Sequence, residues 1–238
     1  DIDIMILYEN IKGYNLKDIM EEFITLAWDC GLKLGSRVHE LKEIQDAVKE
    51  DITIKTSILE SRLIYGSKIL WYGYENSLIK IRKTEQKEFI LEKLEEHKQR
   101  LLKYPLKMEP NIKDGYGGIR EANMMYWMAN ILYGVKNTKE LIGVQFTEEE
   151  FRKYRQALEF IFQVRNALHN IARKKQDQVT FDILPELSSK LGFKNRPRYT
   201  KDRLCMSKIL SSLHIIHNFT ANMVKKFTRA VLFETSNI

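Results

Sequence analysis

Apolar and polar residues alternate at the start of the chain, and this pattern gives way to helical spacing further along. Residues 1–8 place Ile2, Ile4 and Ile6 on one face, which predicts a β-strand. Residues 33–39 and 51–55 also alternate and predict two more short strands. The stretches between and after them have helical spacing, which predicts helices at about 16–30, 41–50, 56–64 and 68–81. The first third of the chain therefore mixes strands and helices.

Helical spacing dominates the remainder of the chain. It predicts helices at about 84–103, 119–133, 147–173 and 204–233. Thr147, followed by three glutamates, fits a capping box at a helix start. Two prolines bound a glycine-containing loop at 105–118. We therefore expect an α+β fold in which a mixed first domain, 1–82, precedes a mostly α-helical domain, 83–238.

Charge and cysteine content narrow the choice of partner and compartment. The formal net charge is +7, with 30% charged and 44% hydrophobic residues. Excess positive charge favours an anionic partner, although Lys and Arg also solvate helical surfaces. Cys30 and Cys205 have no metal-binding spacing, so we expect two free thiols in a cytoplasmic protein. No apolar run approaches the roughly 18–20 residues that span a bilayer, so no membrane partner is expected. Because the sequence begins inside an apolar strand, we expect further chain upstream.

Two carboxylates on the first predicted strand are candidate metal ligands. Asp1 and Asp3 are separated by one residue, so a strand sends both side chains to the same face. Carboxylate oxygens are ligands that Mg²⁺ prefers, and Mg²⁺ commonly accompanies phosphate-bearing substrates. By itself the pair also fits the exposed edge of a half-buried strand.

A third carboxylate would complete such a site. Asp51 opens the strand predicted at 51–55 and lies near the first pair if the two strands are neighbours. Three close carboxylates repel one another unless a cation compensates them. Asp29 is a competing candidate, but its helical context favours a cap or a surface charge. The predicted catalytic and metal-binding residues are therefore Asp1, Asp3 and Asp51, with Mg²⁺ or Mn²⁺ as the metal.

The loop at 105–118 is a candidate nucleotide-binding segment. Gly117 and Gly118 permit positive φ angles and a close approach of the backbone to a ligand. Lys113 and Arg120 carry charges that suit phosphate oxygens. The helix that begins at residue 119 would add an anion-binding N-terminus. The alternative is a connector whose glycines only allow a tight turn.

Two pairs of polar residues have helical spacing. His214 and His217 could bind a metal ion, but no Cys or carboxylate lies near them in the sequence, which favours a structural role. Arg165 and His169 are four residues apart and predict a packing or polar-network pair.

Three segments in the first third resemble known motifs. Residues 1–5 look like the D-x-D strand of the polymerase-beta-like nucleotidyltransferases. Residues 28–35 (W-D-C-G-L-K-L-G) are similar to a W-D-x-G-L-K-x-G segment of the bacterial PII uridylyltransferases. Residues 51–62 resemble that family's D-L-T-x-x-T-[SA]-L-L-E-A-R segment.

Three later segments resemble the same family in the same order. Residues 109–120 are similar to E-P-N-x-K-x-x-x-G-G-L-R, 164–169 to V-R-x-x-L-H, and 181–193 to F-D-x-Q-x-x-[LI]-A-x-x-L-G-[YF]. Six segments in family order cover most of the chain. It is therefore identified as a member of the PII uridylyltransferase and uridylyl-removing enzyme family.

The chain also departs from the family pattern. His39 stands where members usually have Arg, Glu121 replaces the Asp after G-G-x-R, and Leu184 replaces the Gln after F-D. The family's Gly-Ser turn, whose backbone N–H groups would bind nucleotide phosphates, comes before the D-x-D strand and is not in this sequence. Activity of this chain alone is therefore an open question.

The resemblance implies a fold, a reaction and partners. The fold is a partial polymerase-beta-like nucleotidyltransferase sheet followed by a helical domain. The reaction transfers UMP from UTP to a tyrosine of the PII nitrogen-signalling protein and releases pyrophosphate. Two Mg²⁺ ions on the three carboxylates would activate the acceptor hydroxyl and grip the triphosphate. Family members are multifunctional enzymes, with an HD domain that removes UMP and ACT domains that sense glutamine.

Three other functions stay open. Glutamine synthetase adenylyltransferases and CBS-linked putative nucleotidyltransferases share the D-x-D strand but differ in acceptor. A degenerate module could bind nucleotide without catalysing transfer. The net charge alone suggests RNA binding, but no RNA-recognition signature is present, so no nucleic-acid partner is expected.

Overall fold

A computed structural model of the chain describes residues 2–10, 15–50 and 52–234. The chain divides into two compact units, unit 1 at Asp1–Thr84 and unit 2 at Glu85–Ile238. Unit 1 holds a two-stranded parallel sheet among helices, whereas the described elements of unit 2 are helical. This confirms the α+β class. The expectation that the sheet belongs to a nucleotidyltransferase stays a prediction.

Unit 1 opens with a β-α-β arrangement. Strands β1 (Ile2–Tyr8) and β2 (Leu34–Glu40) pair in parallel, and helix α1 (Leu16–Asp29) connects them. A parallel pair needs such a crossover, because the chain must return to the end of the sheet from which it started. The pairing sets Asp3 opposite Gly35. Both predicted strands and the helix between them are confirmed.

Three further helices complete unit 1: α2 (Ile44–Glu50), α3 (Ile52–Leu59) and α4 (Lys68–Lys83). They bury a cluster of apolar side chains, namely Ile44, Val48, Ile58, Tyr74, Leu78 and Ile81. Met5 and Leu7 pack against this cluster and alternate with Ile4 and Ile6 along β1. The core therefore lies on the Asp3 side of the strand. On the opposite face, Ile2 is 46% exposed and belongs to no core.

The strand predicted at 51–55 is also wrong, because α3 covers 52–59. A five-residue run in which Ile alternates with polar residues does not distinguish a strand from a helix. The following residues decide the matter, since Ile58 and Leu59 are both buried and extend a helical apolar face. Asp51 itself lies outside the described residues. Residues 52–55 are therefore not a strand that could set its side chain on one face with Thr53 and Lys55.

Unit 2 contains five described helices: α5 (Gln86–Lys103), α6 (Ile119–Tyr133), α7 (Glu148–Ala172), α8 (Leu184–Lys190) and α9 (Lys201–Glu234). The long helix α9 packs against the other four. Helix α6 has the predicted bounds, and the capping box of α7 is present, with the Thr147 hydroxyl accepting from the Glu150 N–H. Helix α8 was not predicted, because seven residues provide less than two turns of apolar pattern. None of the described helices is both long and apolar enough to cross a membrane.

Candidate functional site

The Asp3 carboxylate lies across a glycine on the neighbouring strand. Asp3 is exposed near the start of β1, directly opposite Gly35. A Cβ atom added to Gly35 would lie 2.5 Å from Asp3 Oδ1, closer than van der Waals contact allows. Gly35 therefore leaves room for the carboxylate in its observed position. This is a structural reason for the last glycine of the 28–35 segment.

The predicted metal site is only partly visible. Asp1 and Asp51 lie outside the described residues. Within 2–10, 15–50 and 52–234, no group of three or more His, Cys, Asp or Glu side chains could hold a metal ion. Of the three predicted ligands, only Asp3 lies within the described residues, and its carboxylate oxygens are of the type that Mg²⁺ prefers. The three-carboxylate site stays a prediction that depends on the other two residues.

The glycine loop of unit 2 is held by its own hydrogen bonds. The Asn111 side-chain oxygen accepts from the N–H groups of Lys113 and Asp114, at 3.0 and 2.7 Å. The first N–H groups of α6 donate back to the same loop, Ile119 to the Ile112 carbonyl and Arg120 to the Lys113 carbonyl. An anion at this helix N-terminus would need those groups. In this conformation they are already occupied, so the predicted backbone anion site is not available.

The two central glycines also serve the loop itself. Gly117 has φ +66°, and a Cβ there would lie 1.8 Å from the backbone oxygen of Leu213 in α9. A Cβ on Gly118 would lie 2.6 Å from the Lys113 carbonyl oxygen. Glycine is required at both positions so that the loop can turn and pack against α9. Their contact with a nucleotide stays a prediction.

A buried carboxylate fastens this loop to α9. Glu121 is 1% exposed. Its oxygens accept from the Gly117 N–H and the Thr220 hydroxyl, each at 3.0 Å. His217 Nδ1 lies 3.0 Å from the second oxygen, and His97 Nε2 lies 3.9 Å from the first. His217 therefore has the expected structural role, and its acidic partner is 96 residues away in the sequence.

Opposing effects act on the pKa of Glu121. Burial alone would raise the pKa of the carboxyl, since it disfavours the charged form. Hydrogen bonds from His217 and the Gly117 N–H outweigh burial and hold the pKa below its ordinary value. Burial also lowers the pKa of His97, although the charge of Glu121 opposes that shift. Glu121 therefore carries a negative charge at neutral pH.

A second polar cluster surrounds Asp177. Arg165 Nε lies 2.7 Å and His169 Nε2 3.2 Å from Asp177 Oδ1. Lys113 Nζ lies 3.9 Å from the other oxygen, Oδ2. The predicted polar-network pair is thus confirmed, with Asp177 as its partner. Burial by itself would raise the pKa of Asp177. The hydrogen bonds from Arg165 and His169 outweigh burial and hold the pKa below its ordinary value.

Backbone pairing joins the segments that carry Lys113 and Asp177. Residues 111 and 178 form an isolated antiparallel bridge. The Ile112 N–H donates to the Asp177 carbonyl at 2.9 Å, and the Val179 N–H donates to the Pro110 carbonyl at 3.0 Å. The Phe181 N–H donates to a Glu109 carboxylate oxygen at 2.7 Å. The motif segments at 109–120 and 181–193 therefore meet in unit 2, and this pairing keeps Lys113 near Asp177.

The remaining predicted residue, Arg120, stays accessible. Its Nε lies 3.7 Å from Asp114 Oδ1, beyond hydrogen-bond distance, and its side chain is 41% exposed. A guanidinium in this setting can bind a phosphate or carboxylate through two parallel hydrogen bonds. Binding of nucleotide by Lys113 and Arg120 stays a prediction.

Sequence reasoning missed Asp177 and Thr220. Asp177 lies in a polar stretch after Lys174 and Lys175, where one carboxylate has no distinguishing local pattern. Thr220 is a single hydroxyl within a long helix. Only the paired partners, Arg165 and Glu121, reveal their roles, and those partners are found through the fold.

The geometry describes an α+β protein whose helical unit is organised around a glycine loop and two carboxylate-centred polar clusters. Residues 88–224 match the family described as GlnD PII-uridylyltransferase. The chain belongs to this PII uridylyltransferase family.

Individual relatives agree with this assignment. A bifunctional uridylyltransferase/uridylyl-removing enzyme of Novosphingobium aromaticivorans is 33% identical over 76% of this chain and 20% of its own length. The enzymes of the same name from Ruegeria pomeroyi and Pseudomonas fluorescens are 34% and 30% identical, over 82% and 98% of this chain and 22% and 26% of their own lengths. The chain thus spans about a quarter or less of these relatives. No solved structure matches it.

Proposed function

We propose that this chain is part of a uridylyltransferase that transfers UMP from UTP to a tyrosine hydroxyl of the PII protein. The tyrosine oxygen forms a bond to the α-phosphorus of UTP, and the bond from that phosphorus to the oxygen bridging the β-phosphate breaks. Pyrophosphate leaves, and the hydroxyl proton passes to solvent or a base. The observation that carries the proposal is the family match across residues 88–224.

The Asp3 carboxylate is the described group that best suits a role in this reaction. It is exposed on a strand, and Gly35 leaves it unobstructed. Asp1 and Asp51 are proposed as its fellow ligands. A divalent ion such as Mg²⁺ or Mn²⁺, when bound there, supplies positive charge that stabilises the triphosphate and lowers the pKa of the acceptor hydroxyl. Lys113 and Arg120 offer positive charge for phosphate oxygens in unit 2.

The first test is Asp3→Asn in the complete protein that contains this chain, assayed by incorporation of labelled UMP from UTP into PII protein. We expect the rate to fall about a hundredfold or more, because charge stabilisation by a metal is worth several kcal/mol and each 1.4 kcal/mol is a factor of ten. Asp46→Asn is the matched control, since its carboxylate forms an exposed ion pair with Lys49. Transfer by Asp3→Asn at the rate of the unmodified protein would contradict the catalytic role.

A second variant, Gly35→Ala, moves the carboxylate without removing it. The added methyl group would displace Asp3 Oδ1, which is the end of a rotatable side chain, so folding should be little affected. We expect UMP transfer to fall while the melting temperature changes by only a few degrees. Normal transfer in this variant would show that the observed position of the carboxylate is unimportant.

A further inference from the structure

Three basic side chains of unit 2 converge on one carboxylate, and within the described residues two of them, Lys113 and Arg165, keep N–H donors for a ligand. Lys113 comes from the glycine loop, and Arg165 and His169 come from α7. We propose that Lys113 and Arg165 form a phosphate-binding site and that Asp177, which also contacts His169, orients them. Of these two residues, sequence reasoning placed only Lys113 in a ligand-binding role, so the proposal extends the site to Arg165 of α7.

The geometry of Arg165 supports this role. A guanidinium and a carboxylate commonly pair through two parallel hydrogen bonds. Here Asp177 is bound by Nε of Arg165, at 2.7 Å. Within the described part of the chain, neither Nη atom of Arg165 makes a hydrogen bond. The ion pair therefore fixes the plane of the guanidinium and leaves its two Nη groups to bind another anion.

The ammonium group of Lys113 also lies beside Asp177 and keeps donors for a ligand. Its Nζ is 3.9 Å from Asp177 Oδ2, too far for a hydrogen bond but close enough for attraction. The Asn111 side chain holds the backbone N–H of Lys113, so the start of the lysine side chain is fixed while its ammonium group keeps its donors. The side chains of Lys113, Arg165 and His169 are 31%, 27% and 30% exposed, so a ligand can reach all three.

The charges of the cluster do not cancel. Lys113 and Arg165 carry two positive charges and Asp177 carries one negative charge, which leaves a surplus of about one positive charge before His169 is counted. One cation, Arg165, is enough to compensate the charge of Asp177. An ammonium group and a guanidinium, held beside the same carboxylate, match the several oxygens of a phosphate group. The phosphate can belong to a nucleotide or be free pyrophosphate.

The test is calorimetric titration of the 238-residue chain with pyrophosphate, UTP and uridine, without divalent metal and at constant ionic strength. We expect binding of pyrophosphate and UTP but not of uridine. Lys113→Gln and Arg165→Gln should each raise Kd about tenfold or more, since each removes charge-assisted hydrogen bonds. Arg155→Gln is the matched control on the same helix, because Arg155 is exposed and paired with Glu159. It should leave Kd unchanged.

The variants must be shown to fold before their binding is compared. Arg165→Gln leaves Asp177 with fewer partners and could unfold unit 2, so thermal melting is followed for every variant. Lys113→Gln removes no hydrogen bond within residues 2–10, 15–50 and 52–234, so this variant should fold and stay informative. Unchanged pyrophosphate binding by folded Lys113→Gln and Arg165→Gln variants would overturn the proposal, as would an equal loss in Arg155→Gln, which would indicate general electrostatic attraction.

The titrations with pyrophosphate and with UTP also distinguish free phosphate groups from nucleotides as the ligand. Binding of UTP that depends on Arg165 would support a nucleotide ligand, an assignment that rests on the proposed uridylyltransferase function. Binding of pyrophosphate without binding of UTP would retain the phosphate site and exclude a nucleotide there. Transfer by Asp3→Asn at the rate of the unmodified protein would refute the catalytic role of Asp3. It would leave the result of this titration unaffected, because the titration measures binding to side chains of unit 2.

Discussion

At the scale of single residues, Glu121 shows how one buried charge can hold a loop in place. Burying an unpaired carboxylate is costly, so such groups require donors. Glu121 receives them from the Gly117 N–H, the Thr220 hydroxyl and His217. The carboxylate therefore connects the glycine loop with α9, and its pKa is held below the ordinary value despite burial.

Glu121→Gln should therefore destabilise the protein by about 2 kcal/mol at pH 7, because an amide cannot accept all these hydrogen bonds. A carboxyl whose pKa is lower in the folded than in the unfolded protein stabilises the fold above its ordinary pKa, here 4.5, and loses that effect as pH falls through the folded value. The difference in unfolding free energy between the two proteins should shrink as pH falls below about 4.5.

Urea denaturation at pH 7 and at several values below 5 measures this difference. Glu149→Gln is the control, since Glu149 forms an exposed ion pair with Lys153, and its effect should be small. Equal stability of the Glu121→Gln protein and the unmodified protein at pH 7 would refute the anchoring role.

At the scale of elements, the close contact between the glycine loop and α9 is made possible by Gly117. The backbone oxygen of Leu213 occupies the space where a side chain at position 117 would begin. The same residue has a positive φ angle, which non-glycine residues adopt at a cost. Backbone conformation and helix packing therefore select glycine independently at this position.

Gly117→Ala should destabilise the protein by roughly 3 kcal/mol, as the sum of backbone strain and overpacking. Gly134→Ala is a matched control, because Gly134 has nearly the same φ angle, +68°, but no atom within 4 Å of the added Cβ. It should cost only about 1 kcal/mol of strain. The free energies of unfolding of both variants can be compared by urea denaturation. Equal costs would mean that the contact with α9 contributes nothing.

At the scale of the whole molecule, the division into two units suggests that unit 2 can fold alone. Its helices bury apolar side chains of their own, including Ile161, Leu168, Ile209, Leu213 and Ile216. A compact unit with its own core generally folds independently.

A fragment of residues 85–238 should therefore retain helical circular dichroism and unfold in one cooperative transition. A fragment of residues 104–238 is the control, because it lacks α5, which packs against α6 and α9. We expect the shorter fragment to lose cooperativity or stability. A broad, non-cooperative transition in the longer fragment would show that unit 2 needs the rest of the chain.

The sequence by itself determined the family, both strands of the sheet, and the extents of α6 and α7, because these features depend on residues that are neighbours in the chain. The strand that it predicted at 51–55 was wrong, because five alternating residues fit both a strand and a helix. Burial of Ile58 and Leu59 in the next turn favours the helix. Only the tertiary structure identified Asp177 as the partner of Arg165 and Glu121 as the partner of His217. Such pairs carry no local pattern, because folding brings together side chains 12 and 96 residues apart and the low polarity of the interior then requires each charge to find a partner.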